Sequence, residues 1–68
     1  MEVNVFLERQ NKKKKVSLEK EITVVELMQK LAVNRAEVIP VKNNELVTED
    51  SIVKAGDEIK FLAVISGG

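Results

Sequence analysis

The residues of this sequence best suited to chemistry are the two glycines at its end, Gly67 and Gly68. They follow a strand-like run over residues 59–66, which would carry the terminal carboxylate away from the folded body. Because glycine has no Cβ, such a tail can lie extended in a channel too narrow for side chains. We therefore expect the carboxylate of Gly68 to react inside another protein's active site. The alternative is a terminus that is merely frayed.

The composition argues against a protein that catalyses a reaction by itself. The 68 residues include no His and no Cys. The usual general base near neutral pH, the usual thiol nucleophile and the commonest metal ligands are therefore missing. We expect no catalytic residues, no metal site and no enzyme activity.

The charge balance argues against nucleic acid and membranes as partners. Eleven basic residues match eleven acidic ones, whereas binding to phosphate backbones requires a positive surface. With two Phe and no Tyr or Trp, little is left for base stacking. No apolar run approaches membrane-spanning length, and the N-terminus lacks the pattern of a secretory signal. We expect a cytoplasmic protein.

The N-terminal segment predicts a hairpin of two antiparallel strands. Residues 2–8 alternate between apolar and polar side chains, apart from Phe6, which breaks the alternation. The polar residues 9–14 predict the loop, and residues 15–19 predict the second strand. The lysine run 12–15 is interpreted as a solvated hairpin tip that also hinders edge pairing, with a contact to an acidic partner as the alternative.

A single helix is predicted over residues 24–33. Apolar side chains recur at helical spacing from Val24 onward. Thr23 and Glu26 have the spacing of a capping box, in which each side chain satisfies a backbone donor of the first turn. Asn34 tolerates the left-handed conformation that commonly ends a helix.

The second half of the chain predicts three further strands. Ile39 and Val41 are predicted core positions of a short strand, and two consecutive asparagines then predict a tight turn into residues 45–47. Residues 48–57 are predicted to be an irregular connection. A Gly-Asp turn then precedes a last strand over residues 58–65. One helix cannot cover both faces of the resulting sheet, so the prediction is an α+β roll with the helix across one face.

Three segments of the second half resemble motifs of a known family: Val41–Val47, Lys54–Ile59 and Val64–Gly68. They are similar to the V-x-N-G-E-x-V hairpin, the x-x-G-D-x-I turn and the diglycine tail of the β-grasp sulfur carriers. This is the ThiS/MoaD group of prokaryotic ubiquitin-like proteins, which usually has Gly where this chain has Asn44. The ending and the short length are more similar to the thiamine-type carriers than to the molybdopterin-type ones.

The resemblance covers essentially the whole chain and implies a ubiquitin-like β-grasp roll. It implies one domain over residues 1–68, with four to five strands in a mixed sheet, one helix across one face, and a flexible tail at residues 66–68. It also implies that the first and last strands are neighbours. In that case Phe6, Leu62 and Val64, which are out of phase with the core, lie together on the helix-free face. We expect them to dock a partner, the alternative being unrelated surface hydrophobes.

The resemblance also implies a function for the tail. Gly68 would be the site of covalent attachment, with Ser66 and Gly67 as the tail that delivers it. A partner related to the ubiquitin-activating enzymes would adenylate Gly68 with ATP, and a sulfur donor such as a cysteine desulfurase would convert the adenylate to a thiocarboxylate. An acceptor synthase would receive the sulfur in a thiamine, molybdopterin or tRNA-thiolation pathway. The chain itself would act as a monomer and bind no cofactor, since it lacks a phosphate-binding Gly-rich loop.

Two alternatives use the same sequence features. A ubiquitin-like modifier would be joined through Gly68 to lysines of target proteins, and it would share the activated intermediate with a carrier. A β-grasp interaction module would have the same fold with a tail that is never activated.

Overall fold

The computed structural model describes residues 1–64, which contain seven strands and one α-helix. In chain order these are β1 (Glu2–Leu7), β2 (Lys12–Ser17), β3 (Ile22–Thr23), α1 (Val24–Lys30), β4 (Val38–Lys42), β5 (Glu45–Leu46), β6 (Ile52–Val53) and β7 (Glu58–Ala63). Two 3₁₀ turns, Glu8–Gln10 and Arg35–Glu37, follow β1 and precede β4. None of the helices among these residues is long and apolar enough to cross a membrane.

Five of the strands form a mixed sheet in the order β2-β1-β7-β4-β5. β1 pairs parallel with β7, and the other pairs are antiparallel. The last strand therefore lies at the centre of the sheet, beside the first strand, as the resemblance implies. A separate two-stranded ladder joins β3 to β6. Residues 48–57 were predicted to be irregular throughout, which was wrong for β6, because Ile52 and Val53 pair with the two residues of β3.

The core lies between one face of the sheet and α1. Alternate residues of β1 and β7 point into it, and Phe61 at 0% exposure is the largest of the fully buried side chains. The buried cluster consists of Val3, Val5, Leu7, Val16, Leu18, Val24, Leu27, Met28, Val53, Ile59 and Phe61. This arrangement confirms the predicted α+β roll with its helix across one face.

The predicted capping box is present at the start of α1. The Thr23 hydroxyl accepts a hydrogen bond from the Glu26 amide at 3.3 Å, and a Glu26 carboxylate oxygen accepts one from the Thr23 amide at 3.0 Å. The hydrogen bonds from the amide and hydroxyl of Thr23 favour the ionised carboxylate and lower the pKa of Glu26.

The predicted end of the helix was wrong. α1 ends at Lys30, and the left-handed residue that follows it is Ala32, with φ 56°. The Val33 amide donates to the Met28 carbonyl and the Ala32 amide to the Gln29 carbonyl, which is the Schellman pattern.

Asn34 has a different role from the predicted helix stop. It has φ −79°, and its side chain accepts a hydrogen bond at 2.9 Å from the Ala36 amide, which caps the following 3₁₀ turn. Asparagine is well suited to this N-cap position, because its side-chain oxygen satisfies a backbone donor of the first turn.

The predicted hairpin loop was too long. β2 begins at Lys12 rather than at residue 15, because Asn11 adopts a left-handed conformation with φ 51° and closes the loop early. The backbone of Lys12 to Lys15 then pairs with β1 in register, while the side chains stay exposed. The lysine run therefore lies on an edge strand, where charge hinders pairing with another chain.

The asparagine turn before β5 and the Gly-Asp turn before β7 are joined by hydrogen bonds. Asn43 and Asn44 form the predicted tight turn, with φ 51° and 69°. The Asn43 side chain accepts from the Glu58 amide at 3.0 Å and donates to Asp57 Oδ1 at 3.1 Å. The other Asp57 oxygen accepts from the Lys54 amide at 2.8 Å. Burial would raise the pKa of Asp57, but these hydrogen bonds and the nearby lysines outweigh it and lower the pKa.

Two substitutions at left-handed residues should change the stability in opposite directions. Ala32→Gly should raise the free energy of unfolding by about 0.5–1 kcal/mol, because glycine relieves the strain at φ 56°. Gly56→Ala should lower it by about 1–2 kcal/mol through backbone strain alone, since a Cβ there meets no atom within 4 Å and φ is +84°. Chemical denaturation measures both values, and a less stable Ala32→Gly variant would contradict the assigned helix end.

Candidate functional site

The tail predicted to react lies outside the described residues. Ile65, Ser66, Gly67 and Gly68 follow the last residue that the structure describes, Val64. The covalent attachment at Gly68 therefore stays a prediction. The last strand was predicted over residues 58–65. In the structure β7 ends at Ala63, which pairs with Val38, the first residue of β4, so the strand ends earlier than predicted.

The structure places Phe6 and Leu62 on the face of the sheet opposite α1. Val5 and Phe61, their neighbours in the chain, point into the core, so Phe6 and Leu62 point away from it. Both side chains are half-buried. Val64 follows β7 directly and is 40% exposed.

The predicted core position at Ile39 was wrong, because β4 turns its other side to the helix. Val38 packs against the core cluster, whereas Ile39 is 43% exposed and pairs with Leu62 on the helix-free face. Val41 lies on that same face, but it is buried at 7% exposure, as predicted. The apolar run Val38–Ile39 leaves the phase of the strand ambiguous, so the sequence pattern alone could not assign the face.

The helix-free face therefore carries more apolar surface than the sequence predicted. Leu46, which pairs with Val41, is 76% exposed and was not predicted as part of a site. The signal for it was present, since a two-residue turn places Leu46 opposite Val41 on one face. We give the name helix-free patch to the apolar side chains that keep exposed surface here: Phe6, Ile39, Leu46, Leu62 and Val64.

A basic groove adjoins the patch at Phe6. Phe6 pairs with Lys13 on one side and with Lys60 on the other, so all three residues share one face of the sheet, and the Lys60 ammonium donates to Asn44 Oδ1 at 3.5 Å. The groove has a volume of about 680 Å³, and Lys15 and Glu58 also line it. Among residues 1–64 no carboxylate lies within ion-pair distance of these lysines. The two interpretations of the lysine run, edge protection and contact with an acidic partner, both fit this position.

The described residues combine exposed apolar side chains with a border of lysines on one face of the sheet. Among residues 1–64 there is no group of three acidic side chains close enough to hold a metal ion. The site consists of an apolar patch with a basic border, next to the point where the chain leaves the sheet. Patches of this composition are typical of surfaces that bind other proteins.

Comparison with known proteins gives one family and related structures. The model of the ThiS family matches residues 2–68. A crystal structure of the thiamine biosynthesis protein ThiS from Geobacter metallireducens is 28% identical in sequence and superposes with a TM-score of 0.66, over 96% of this chain and 99% of that one. An NMR structure of a thiamine biosynthesis protein from the same organism is also 28% identical, with a TM-score of 0.61, over 96% of this chain and 87% of that one. A comparison with curated proteins finds no significant match.

The assignment of faces can be tested with two adjacent residues of β7. Phe61→Ala should lower the free energy of unfolding by about 3–5 kcal/mol, because it leaves a cavity in the core. Leu62→Ala should cost only about 1 kcal/mol, because its side chain is half-buried on the open face. Urea denaturation of the two variants measures the difference, and equal losses would contradict the assigned faces.

Proposed function

The chain belongs to the ThiS family, a family of β-grasp sulfur carriers, and from this we propose that it carries sulfur on the carboxylate of Gly68 for thiamine biosynthesis. The observation that carries the proposal is that the family match extends through both terminal glycines. The names of the two related structures favour thiamine over the other pathways. The place of action that we propose is the cytoplasm, where ATP is available to a partner enzyme.

Activation converts a poor electrophile into a good one. The Gly68 carboxylate attacks the α-phosphorus of ATP, so that an acyl-adenylate forms and pyrophosphate leaves. A sulfur nucleophile then attacks the carbonyl carbon, and AMP leaves with the electron pair of the broken C–O bond. If the sulfur arrives as the persulfide of a cysteine desulfurase, the product is an acyl disulfide. A second thiol cleaves that disulfide, releases the thiocarboxylate and becomes part of a new disulfide.

The chain's own contribution to this reaction is delivery. It has no phosphate-binding Gly-rich loop, so the partner must bind ATP. The helix-free patch supports docking to that partner, because it lies on the face that α1 leaves open and reaches Val64 at the start of the tail. Docking there would place the tail beside the partner's nucleotide and lower the entropy cost of the encounter.

Adenylation should depend on Gly68. With the adenylating enzyme of the same organism, the wild-type chain should support exchange of labelled pyrophosphate into ATP, and a variant that lacks Gly68 should not. The wild type should also restore growth without thiamine to a strain that lacks its own carrier, whereas the shortened variant should not. Absence of exchange with the wild type would contradict the proposal.

The same two assays separate the alternatives. A protein modifier would support exchange but would not restore growth without thiamine, and Gly68 would be found in isopeptide bonds on other proteins. An interaction module would support neither, and removal of Gly68 would leave its binding unchanged.

Docking should depend on the helix-free patch. Phe6→Ala and Leu62→Ala should each raise the KM for the carrier in the exchange assay about tenfold, because each removes apolar contact area at the interface. Ile52→Ala is the matched control, since Ile52 is 41% exposed but lies in the other ladder. Unchanged KM values for both patch variants, or an equal rise for Ile52→Ala, would refute docking through this face.

A further inference from the structure

The backbone at the end of β7 is held by hydrogen bonds from both sides. The Ala63 amide donates to the Glu8 carboxylate, with 2.9 Å between the nitrogen and Oε1. The next amide, that of Val64, donates to the Glu37 carbonyl at 2.9 Å. We call Ala63 and Val64 the tail root, since they are the last described residues before the tail.

On the β1 side a side chain replaces the backbone. The last parallel pair of β1 and β7 is Leu7 with Phe61, because the chain turns into a 3₁₀ helix from Glu8 onward. β1 therefore supplies no carbonyl for the Ala63 amide. The Glu8 carboxylate supplies the missing acceptor and extends the pairing of β7 by two residues.

On the β4 side the support comes from the 3₁₀ turn Arg35–Glu37. Its last carbonyl, that of Glu37, accepts from Val64, just beyond the pair of Val38 with Ala63. The Glu37 carboxylate also pairs with Arg9, with 2.6 Å between Oε2 and Nη1. Because both side chains are about half exposed, this ion pair adds little stability, but it connects the two turns that flank the tail root.

We propose that Glu8 is a positioning residue for the activation of Gly68. Its carboxylate fixes the direction in which the backbone leaves Ala63, so that a docked carrier directs its tail toward the partner's nucleotide. This inference rests on the proposed function. It requires a hydrogen-bond acceptor at this position and does not require a negative charge.

The geometry predicts which kinetic constant Glu8 affects. Docking through the helix-free patch sets the KM for the carrier, whereas the direction of the tail sets the rate within the complex. Without the Glu8 carboxylate, the backbone at Ala63 gains conformational freedom that it lacks in the wild type. Because this freedom must be lost again before Gly68 can react in the complex, we expect the rate to fall about tenfold.

The test compares Glu8→Ala with Glu8→Gln in the pyrophosphate exchange assay. Glutamine keeps the carbonyl oxygen that accepts from Ala63 and removes the charge. Glu8→Ala should lower kcat about tenfold with the KM within twofold of wild type, and Glu8→Gln should be within twofold of wild type in both constants. Hydrogen exchange at the Ala63 amide should be faster in Glu8→Ala only, while the amides of Ile59 and Phe61 stay protected in both variants.

The opposite outcomes are distinct from a failure of the proposed function. If the wild type is active and Glu8→Ala has an unchanged kcat, the positioning role is refuted. If Glu8→Gln lowers kcat as much as Glu8→Ala does, the negative charge of Glu8 is what matters, for example in a contact with the partner. That result also overturns the proposal. A wild type that supports no exchange refutes the proposed function itself. Denaturation curves check that both variants fold, as expected for an exposed residue.

Discussion

The parallel pairing of β1 with β7 is the constraint on which the rest of the fold depends. It joins the two ends of the chain, from Asn4 opposite Glu58 to Leu7 opposite Phe61. Parallel strands need a crossover, and here the intervening chain supplies the helix that covers one face of the sheet. The other face stays open and carries the helix-free patch. The same pairing puts β7 at the centre of the sheet, so the tail begins from a strand with neighbours on both sides.

The small size of the domain explains why its open face matters. A domain of about this size buries only about 60% of its unfolded surface, and this chain has no cysteine for a disulfide. Its stability therefore depends on one core cluster around Phe61 and Leu27. Ile39 and Leu46 contribute little to that core and leave apolar surface in water. Exposed apolar surface of this kind favours association with other proteins. The lysines of the edge strand hinder pairing with further strands. Binding to a specific partner therefore explains best why the patch is exposed.

Much of the fold could be predicted from the sequence because local chemistry and tertiary packing agree there. The capping box at Thr23 follows from side chains that satisfy backbone donors within one turn, and the turn at Asn43 and Asn44 follows from the tolerance of asparagine for positive φ. The predictions failed where tertiary contacts decide between local options. Three lysines predicted to lie in the loop belong to β2, because they pair with β1. Whether Val38 or Ile39 faces the core depended on which face of β4 packs against α1. The role of Glu8 could not be predicted, because its partner Ala63 lies 55 residues away in the sequence.

The most direct test of the central claim is to treat the protein, purified from its own cells, with a thiol-reactive mass tag. The chain has no cysteine, so a thiocarboxylate at Gly68 is the one group expected to react. The tag also avoids confusion between sulfur replacing oxygen and oxidation of Met1 or Met28, which change the mass almost equally. A tagged species that is absent from a variant lacking Gly68 is the predicted result. No tag on the wild type, isolated from cells that are making thiamine, would contradict sulfur carriage.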